Sequence, residues 1–195
     1  MAKITEKVAY EILPFESPKE FNSWMKKNHD STPGVWIKMA KKGTGIPSID
    51  HPGALDEALC YGWIDGQAKS IDEKFYLQKF TPRRSKSMWS NINREKVQRL
   101  IDEGRMMPAG LAEIESAKAD GRWNAAYDSP KNMVMPEDFI KLVNANKKAK
   151  AFFDTLNKTN LYAIGWRLQT AKKSETREKR MKVILEMLER GEAFH

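Results

Sequence analysis

The chain has 195 residues and a formal net charge of +8 at pH 7, a length that suits one domain, or one domain with a helical extension. Its one cysteine, Cys60, excludes an intramolecular disulfide and is typical of a reducing compartment. No apolar run approaches the roughly 18 residues of a membrane span, and the start does not resemble a signal peptide. We therefore expect a cytoplasmic protein with no membrane span.

The positive charge is unevenly distributed along the chain. Residues 66–106 carry an excess of +5 and residues 147–195 an excess of +6, whereas the rest is slightly acidic. Such segregation favours an anionic partner such as nucleic acid, phosphate or anionic lipid. The alternative is that the basic residues only keep the protein in solution, and the sequence leaves both open.

The first predicted elements are two short strands with a helix between them. Val8–Leu13 alternates loosely, as a strand does. Ser17–Glu20 predicts a helix start, with Ser17 as the N-cap and Glu20 completing a capping box. The apolar residues that follow fall on one helical face, namely Phe21, Trp24 and Met25. Val35–Met39 alternates again and predicts the second strand.

A second helix and two further strands follow. Asp50 can cap a helix whose apolar stripe is Leu55, Ala58, Leu59 and Trp63. Gln67–Ile71 and Phe75–Thr81 are typical of strands joined by a tight turn. Four strands with helices between them predict an α+β fold, a small antiparallel or mixed sheet packed with helices.

Helical periodicity dominates the rest of the sequence. The last predicted helix has the clearest stripe: Met181, Ile184, Leu185 and Leu188. Asp128–Met135 lacks periodicity and is the best linker candidate. The sequence therefore predicts an α+β domain over residues 1–128 and an all-helical C-terminal region over residues 129–195.

The first segment that could carry chemistry is Cys60–Gln67. Glycines flank Trp63 and Asp65, which leaves space beside both side chains. An aspartate beside an indole in a partly dry site could act as an acid or base, so Asp65 is the candidate catalytic residue. The structural alternative is that Trp63 lies in the core and Asp65 caps a turn.

The second segment is Lys79–Asn93, where a strand ends, basic residues follow and a helix begins. A helix start offers free N–H groups to an anion, arginines can clamp it, and an indole can stack on it. The structural alternative is a solvated loop with an ordinary serine cap. Together the two segments give the candidate ligand-binding residues Trp63, Arg83, Arg84, Ser87, Trp89 and Ser90.

Patterns for metal or nucleotide chemistry are missing from the sequence. The three histidines are scattered, and there is no His-Glu-x-x-His motif, cysteine pair, phosphate loop or Gly-x-Ser-x-Gly elbow. We therefore expect no metal and no cofactor. Cys60 is expected to be a buried small apolar residue.

Several runs resemble the bacterial YdeI/OmpD-associated, or bacteriocin-protection, family. They are Glu57–Gln67, Phe80–Ser90, Gly104–Leu111, Gly121–Trp123 and the tail from Asn160 to Gly191. The resemblance spans most of the chain, from about Ser17 to Gly191. It implies a loose link to envelope stress and tolerance of antimicrobial peptides, and it implies no particular reaction or catalytic residue. A basic protein should repel cationic peptides, so direct peptide capture is not expected.

Three functions remain open at this point. The favoured one is a non-enzymatic binding protein that uses the Arg83–Trp89 loop for a small anionic ligand or a protein partner. The second is an enzyme for a small anionic substrate, with Asp65 as acid or base and Arg83 or Arg84 as the clamp. The third is nucleic-acid binding through both basic segments, which is expected to be weak because Glu175 and Glu178 interrupt the last basic run.

Overall fold

The computed structural model describes residues 10–195. They divide into two compact units. The first unit contains residues 10–87 and 94–124, and the second contains residues 88–93 and 125–195. The boundary at residue 128 that the sequence predicts remains a prediction.

The first unit is built on a four-stranded mixed sheet, which confirms the predicted α+β class. Its elements in chain order are β1 (Glu11–Pro14), α1 (Pro18–Asn28), β2 (Val35–Ala40), α2 (His51–Cys60), β3 (Trp63–Ser70) and β4 (Phe75–Pro82). The strand order is β1-β2-β4-β3, with β1 parallel to β2 and the other pairs antiparallel. The predicted first strand began at Val8, but Val8 and Ala9 lie outside the described residues.

Helix α1 begins at the predicted cap and packs its apolar face on the sheet. Ser17 Oγ accepts a hydrogen bond from Glu20 N at 3.3 Å. Glu20 does not close a standard capping box, because its carboxylate accepts from Glu16 N at 2.8 Å instead. Phe21 and Met25 are fully buried, and the Phe21 ring centroid lies 5.8 Å from that of Phe80 on β4.

Trp63 starts strand β3 instead of continuing the stripe of α2, so that part of the predicted helix was wrong. Helix α2 ends at Cys60, and Gly62 has a φ of 75°, a left-handed conformation that glycine adopts without strain. The chain therefore turns sharply, and Trp63 pairs with Pro82 on β4. A bulge between Asp65 and Ala68 then shifts the register.

Two further helices follow the sheet, α3 (Asn91–Asp102) and α4 (Pro108–Ala119). The start of α4 packs closely on the end of α2. Met107 N donates to the carbonyl oxygen of Cys60 at 3.0 Å. A Cβ added to Gly110 would lie only 2.3 Å from the same oxygen. This contact requires glycine because backbone, not a flexible side chain, occupies the space.

The rest of the second unit is a group of helices: α5 (Glu137–Ala145), α6 (Lys147–Phe153), α7 (Lys158–Gln169) and α8 (Ser174–Glu189). Its core contains Phe139, Val143, Ala149, Ile164, Leu168, Met181, Ile184 and Leu188. The segment 88–93 belongs here because Ser90 and Tyr127 form a parallel bridge and Asn91 N donates to Tyr127 O at 2.9 Å. Between residues 10 and 195, no helix is long and apolar enough to cross a membrane.

The close contact at Gly110 gives a stability prediction. Gly110→Ala should destabilise the protein by about 1–3 kcal/mol, because the added methyl group must push α4 away from the end of α2. Thermal unfolding followed by circular dichroism measures the loss. Gly66→Ala is the matched control, since a Cβ there meets its nearest atom at 3.8 Å. Equal melting temperatures for the wild type and Gly110→Ala would show that the contact is not tight.

Candidate functional site

Trp63 lies in the core of the first unit, as the structural alternative predicted. It is 1% exposed, its indole N–H donates to the carbonyl oxygen of His29 at 3.0 Å, and its ring packs edge-on against Trp24 at 6.0 Å. These contacts satisfy both the polar and the apolar parts of the side chain. Its buried ring presents no open face on which a ligand could stack.

Asp65 does not cap a turn but pairs with His51, which is not among the predicted site residues. Its Oδ2 lies 3.0 Å from Nε2 of His51, the first residue of α2. Both side chains are about one-third exposed, 30% for Asp65 and 36% for His51. A carboxylate that orients an imidazole can support proton transfer to a bound molecule. The only sequence signal for the pair was that both residues lie at the edges of predicted elements.

The predicted anion loop begins in the first unit as a closed turn. Arg83 is 6% exposed, and its backbone N–H donates to Gly62 O at 3.0 Å. Arg84 is exposed, and its N–H donates to Ser87 Oγ at 2.9 Å. Ser87 N donates back to Arg84 O at 2.8 Å. The Ser87 hydroxyl is therefore already used to hold the turn.

The end of the same predicted segment lies in the second unit. Trp89 is 2% exposed, so it is a core residue here. Ser90 Oγ accepts from Asn93 N at 3.2 Å and caps the start of α3. The roles of Arg83, Arg84, Ser87, Trp89 and Ser90 in binding an anion stay a prediction.

A polar cleft in the first unit combines more charged groups than either predicted segment. It is open, has a volume of about 820 Å³, and lies between α1 and the residues that follow α3. Its lining from α1 repeats at helical spacing: Lys19, Asn22, Ser23, Lys26 and Lys27. The other side consists of Glu57, Gly104, Arg105 and Met107. The sequence signal for this cleft is the polar face of α1, which lies opposite its apolar stripe.

The cleft is anchored by the buried carboxylate of Glu57, whose side chain is 8% exposed. Asn22 Nδ2 donates to it at 2.6 Å and Arg105 Nη2 at 2.7 Å. Arg105 Nη1 also donates to Glu103 at 2.9 Å. Burial lowers the pKa of Arg105, but its hydrogen bond to Glu103 and the charge of Glu57 more than offset this and raise the pKa. Arg105 therefore stays charged.

The lysines of the cleft lack acidic partners. In the part of the chain from residue 10 onward, Lys19, Lys26 and Lys27 make no ion pair. All three are exposed. The lining thus contains four cationic side chains and one carboxylate, and its net charge attracts anions. Within the same described residues, no group of three or more metal-ligating side chains is present.

Cys60 lies next to this cluster and is not a reactive thiol. It is 1% exposed, which confirms the predicted burial. Desolvation by burial, and then the negative charge of Glu57, raise the pKa of the thiol to about 12. Since the thiolate is the nucleophile, covalent catalysis through Cys60 is disfavoured.

The raised pKa of Cys60 gives a labelling prediction. At pH 8, only roughly one thiol in ten thousand should be ionised, so a disulfide reagent such as DTNB should not label the native protein within minutes. The same protein in guanidinium chloride should be labelled at once with one equivalent, which is the control. Rapid labelling of the native form would contradict the burial and the pKa.

The comparisons with known proteins agree with the two-part architecture. Residues 13–113, more than half of the chain, match the family described as Domain of unknown function (DUF8412). Residues 132–191 match the family described as Bacteriocin-protection, YdeI or OmpD-Associated (OmdA). Neither the curated proteins nor the solved structures contain a match.

The match to the YdeI/OmpD-associated family confirms the resemblance, but it is confined to the C-terminal region. The runs Glu57–Gln67 and Phe80–Ser90 lie within the other match. The chain therefore belongs to the DUF8412 family, and its residues 132–191 match the YdeI/OmpD-associated, bacteriocin-protection family.

Proposed function

We propose that this protein binds a small, multiply charged anion in the polar cleft of its first unit. The observation that supports this is the convergence of Lys19, Lys26 and Lys27, none with an acidic partner in the described residues, on a cleft that also contains the fixed guanidinium of Arg105. The volume of about 820 Å³ is within the range of small-molecule sites.

The chemistry of the lining favours several charges on one ligand. Each exposed ammonium contributes little by itself, since solvent screens it. Several such groups around one cleft add their fields, so a ligand with two or more negative charges gains much more than a monovalent ion. Asn22 and Ser23 add neutral polar groups that can orient the ligand by hydrogen bonds. A phosphorylated or polycarboxylate metabolite has this chemistry.

The carboxylate of Glu57 adds selectivity to the positively charged site. It holds Arg105 in place through the 2.7 Å contact, and it repels an anion that approaches the floor of the cleft without reaching the lysines. A ligand must therefore contact the α1 wall. This arrangement favours an elongated anion over a compact one.

We further propose that this binding serves tolerance of envelope stress or antimicrobial peptides, inside the cytoplasm. The description of the C-terminal family supports the link to bacteriocin protection. The positive charge of the cleft and of the whole chain disfavours capture of a cationic peptide. An anionic ligand or an acidic protein partner fits the charge better.

The turn at Arg84 remains the second place for such an anion. Arg84 is exposed and adjoins Arg83, as the sequence proposal requires. Both the Arg84 N–H and the Ser87 hydroxyl are engaged in the turn, so the guanidinium would have to bind the anion largely through its own N–H groups. Arg84→Gln therefore belongs in the binding experiment beside the cleft variants.

The cleft predicts a graded affinity for phosphates. Isothermal titration at low salt should give affinities that rise from orthophosphate to pyrophosphate to tripolyphosphate. The triple variant Lys19→Gln/Lys26→Gln/Lys27→Gln should lose about tenfold or more for tripolyphosphate, because three exposed charge contacts together contribute about 1.4 kcal/mol or more.

The matched control removes the same charge from the second unit. Lys172→Gln/Lys173→Gln/Lys182→Gln changes three exposed lysines outside the cleft, and it should keep the wild-type affinity. An equal loss of tripolyphosphate affinity in both triple variants would indicate only a general charge effect and would contradict binding in the cleft. A loss of affinity in Arg84→Gln alone would show that the anion binds at the turn and not in the cleft.

An acid–base enzyme is the second candidate function, and the 3.0 Å contact of His51 with Asp65 favours it. A thermal-shift screen of metabolites, followed by mass spectrometry of each stabilising compound, is the test. We expect any conversion to be lost in Asp65→Asn and in His51→Gln, with ligand binding retained. Conversion that persists in both variants would exclude the pair from catalysis.

A further inference from the structure

We propose that the open face of the sheet in the first unit binds single-stranded nucleic acid. Helices α1 and α2 pack on the other face, where Val35, Ile37 and Met39 are fully buried. Because side chains alternate along a strand, Trp36 and Lys38 project from the opposite face. Both are partly exposed.

Aromatic and basic side chains alternate on this open face. Lys79 Nζ lies 3.6 Å from the centroid of the Tyr10 ring and 5.8 Å from that of the Trp36 ring. Lys38 Nζ lies 4.1 Å from the centroid of the Phe75 ring. Lys79 therefore lies beside both Tyr10 and Trp36, and Lys38 lies beside Phe75. Aromatic rings beside cations are the combination that single-strand binders use for bases and phosphates.

The strand register places no acidic side chain of the strands on this face, although Asp72, in the turn before β4, lies close enough to Lys38 for that charge to help lower the pKa of its carboxyl. Glu11 pairs with Val35 and Asp65 pairs with Phe80, which places both carboxylates at core-face positions. They are the only acidic residues within the four strands as described. Lys69, opposite Leu77, adds a further exposed cation to the open face. Its charge therefore complements a phosphate backbone.

The spacing of the rings suits a short strand of nucleotides. Trp36 lies opposite Lys79 and Phe75 lies opposite Ala40, so the two rings are four residues apart along β2. At about 3.3 Å per residue, this separation is roughly 13 Å. A few unpaired nucleotides can reach both rings. A duplex cannot offer its bases to either ring, because they are already stacked inside the helix.

The lysines do not block the rings in this scheme. A cation over an exposed ring is held weakly, and stacking of a base on the ring is the stronger contact. When a base stacks on Trp36 or Phe75, the displaced ammonium of Lys79 or Lys38 remains close enough to contact the adjoining phosphate. The free protein thus keeps its cations where the backbone of the strand would lie.

Fluorescence anisotropy with labelled dT12, rU12 and a 12-base-pair duplex tests this proposal. The two single strands distinguish DNA from RNA as the ligand, and tighter binding of at least one of them than of the duplex is expected. Trp36→Leu should weaken single-strand binding by about fivefold or more, and Trp36→Phe should restore most of it, because the ring is the stacking surface. Circular dichroism melting checks that both variants are folded.

The lysines give an independent readout through salt. Lys38→Gln/Lys79→Gln should make the slope of log affinity against log salt shallower by about 1.4, since each lost phosphate contact removes about 0.7 for a single strand. The control Lys172→Gln/Lys173→Gln removes the same charge from two exposed lysines of the second unit, outside both proposed binding surfaces, and should leave the slope unchanged.

The proposal would be overturned by no binding of dT12 or rU12 at about 50 mM salt, by equal binding of the duplex, or by an equal change of slope in the two lysine pairs. Competition by polyglutamate as efficient as by dT12 would show that an acidic protein partner fits the face as well, and this too would contradict it. The anion-binding test with tripolyphosphate is separate, because it depends on the α1 lysines and not on Trp36.

Discussion

A single buried carboxylate organises the first unit around its cleft. Glu57 lies on α2, accepts hydrogen bonds from Asn22 on α1 and from Arg105 after α3, and so connects three segments that are far apart in sequence. Removing one partner from a fully buried ion pair costs about 3–5 kcal/mol. Solvent screening lowers that figure here, because the Arg105 side chain is 36% exposed. The position of α1 relative to Arg105 still depends on this contact.

The packing at the end of α2 depends on the same region. The carbonyl oxygen of Cys60 accepts from Met107 N, and Gly110 lets α4 approach that oxygen closely. The backbone segment that follows α3 and contains Arg105 is therefore fixed against the end of α2 at Met107. A fixed guanidinium beside exposed lysines, whose stems are flexible, suits the proposed anion, because one group sets the geometry while the others adapt to the ligand.

The two faces of the α/β layer thus have different chemistry. The outward face of α1 presents cations to a cleft, whereas the open face of the sheet presents cations together with aromatic rings. The ligand proposed for the first is a small, multiply charged anion, and the ligand proposed for the second is a short single strand of nucleic acid. Both surfaces lie in the first unit, most of which matches the DUF8412 family, so the proposed binding functions belong to that unit and not to residues 132–191.

Local signals in the sequence predicted most of the elements. The caps at Ser17 and Asp50 and the alternating strands were found because they depend on neighbours only a few residues away. The start of β3 was missed because Gly62 ends α2 early and Trp63 gains a strand partner 19 residues further along.

The candidate site was harder to predict, for the same physical reason. Glu57 and Arg105 are 48 residues apart, and His51 and Asp65 are 14 apart. Such contacts depend on how the helices pack on the sheet, and local periodicity does not determine that packing. The sequence instead predicted a site at Trp63 and Trp89, because these tryptophans stand beside glycine or near arginine. Both indoles are core residues.

Diffraction from crystals soaked in selenate tests the cleft most directly, because the anomalous signal of selenium locates a sulfate-like dianion without assumptions about affinity. We expect a peak within hydrogen-bonding distance of Lys26 or Lys27 and next to Arg105. The peak should disappear in Lys19→Gln/Lys26→Gln/Lys27→Gln crystals of the same form. Peaks found only beside Arg84, or none on the first unit, would contradict anion binding in the cleft.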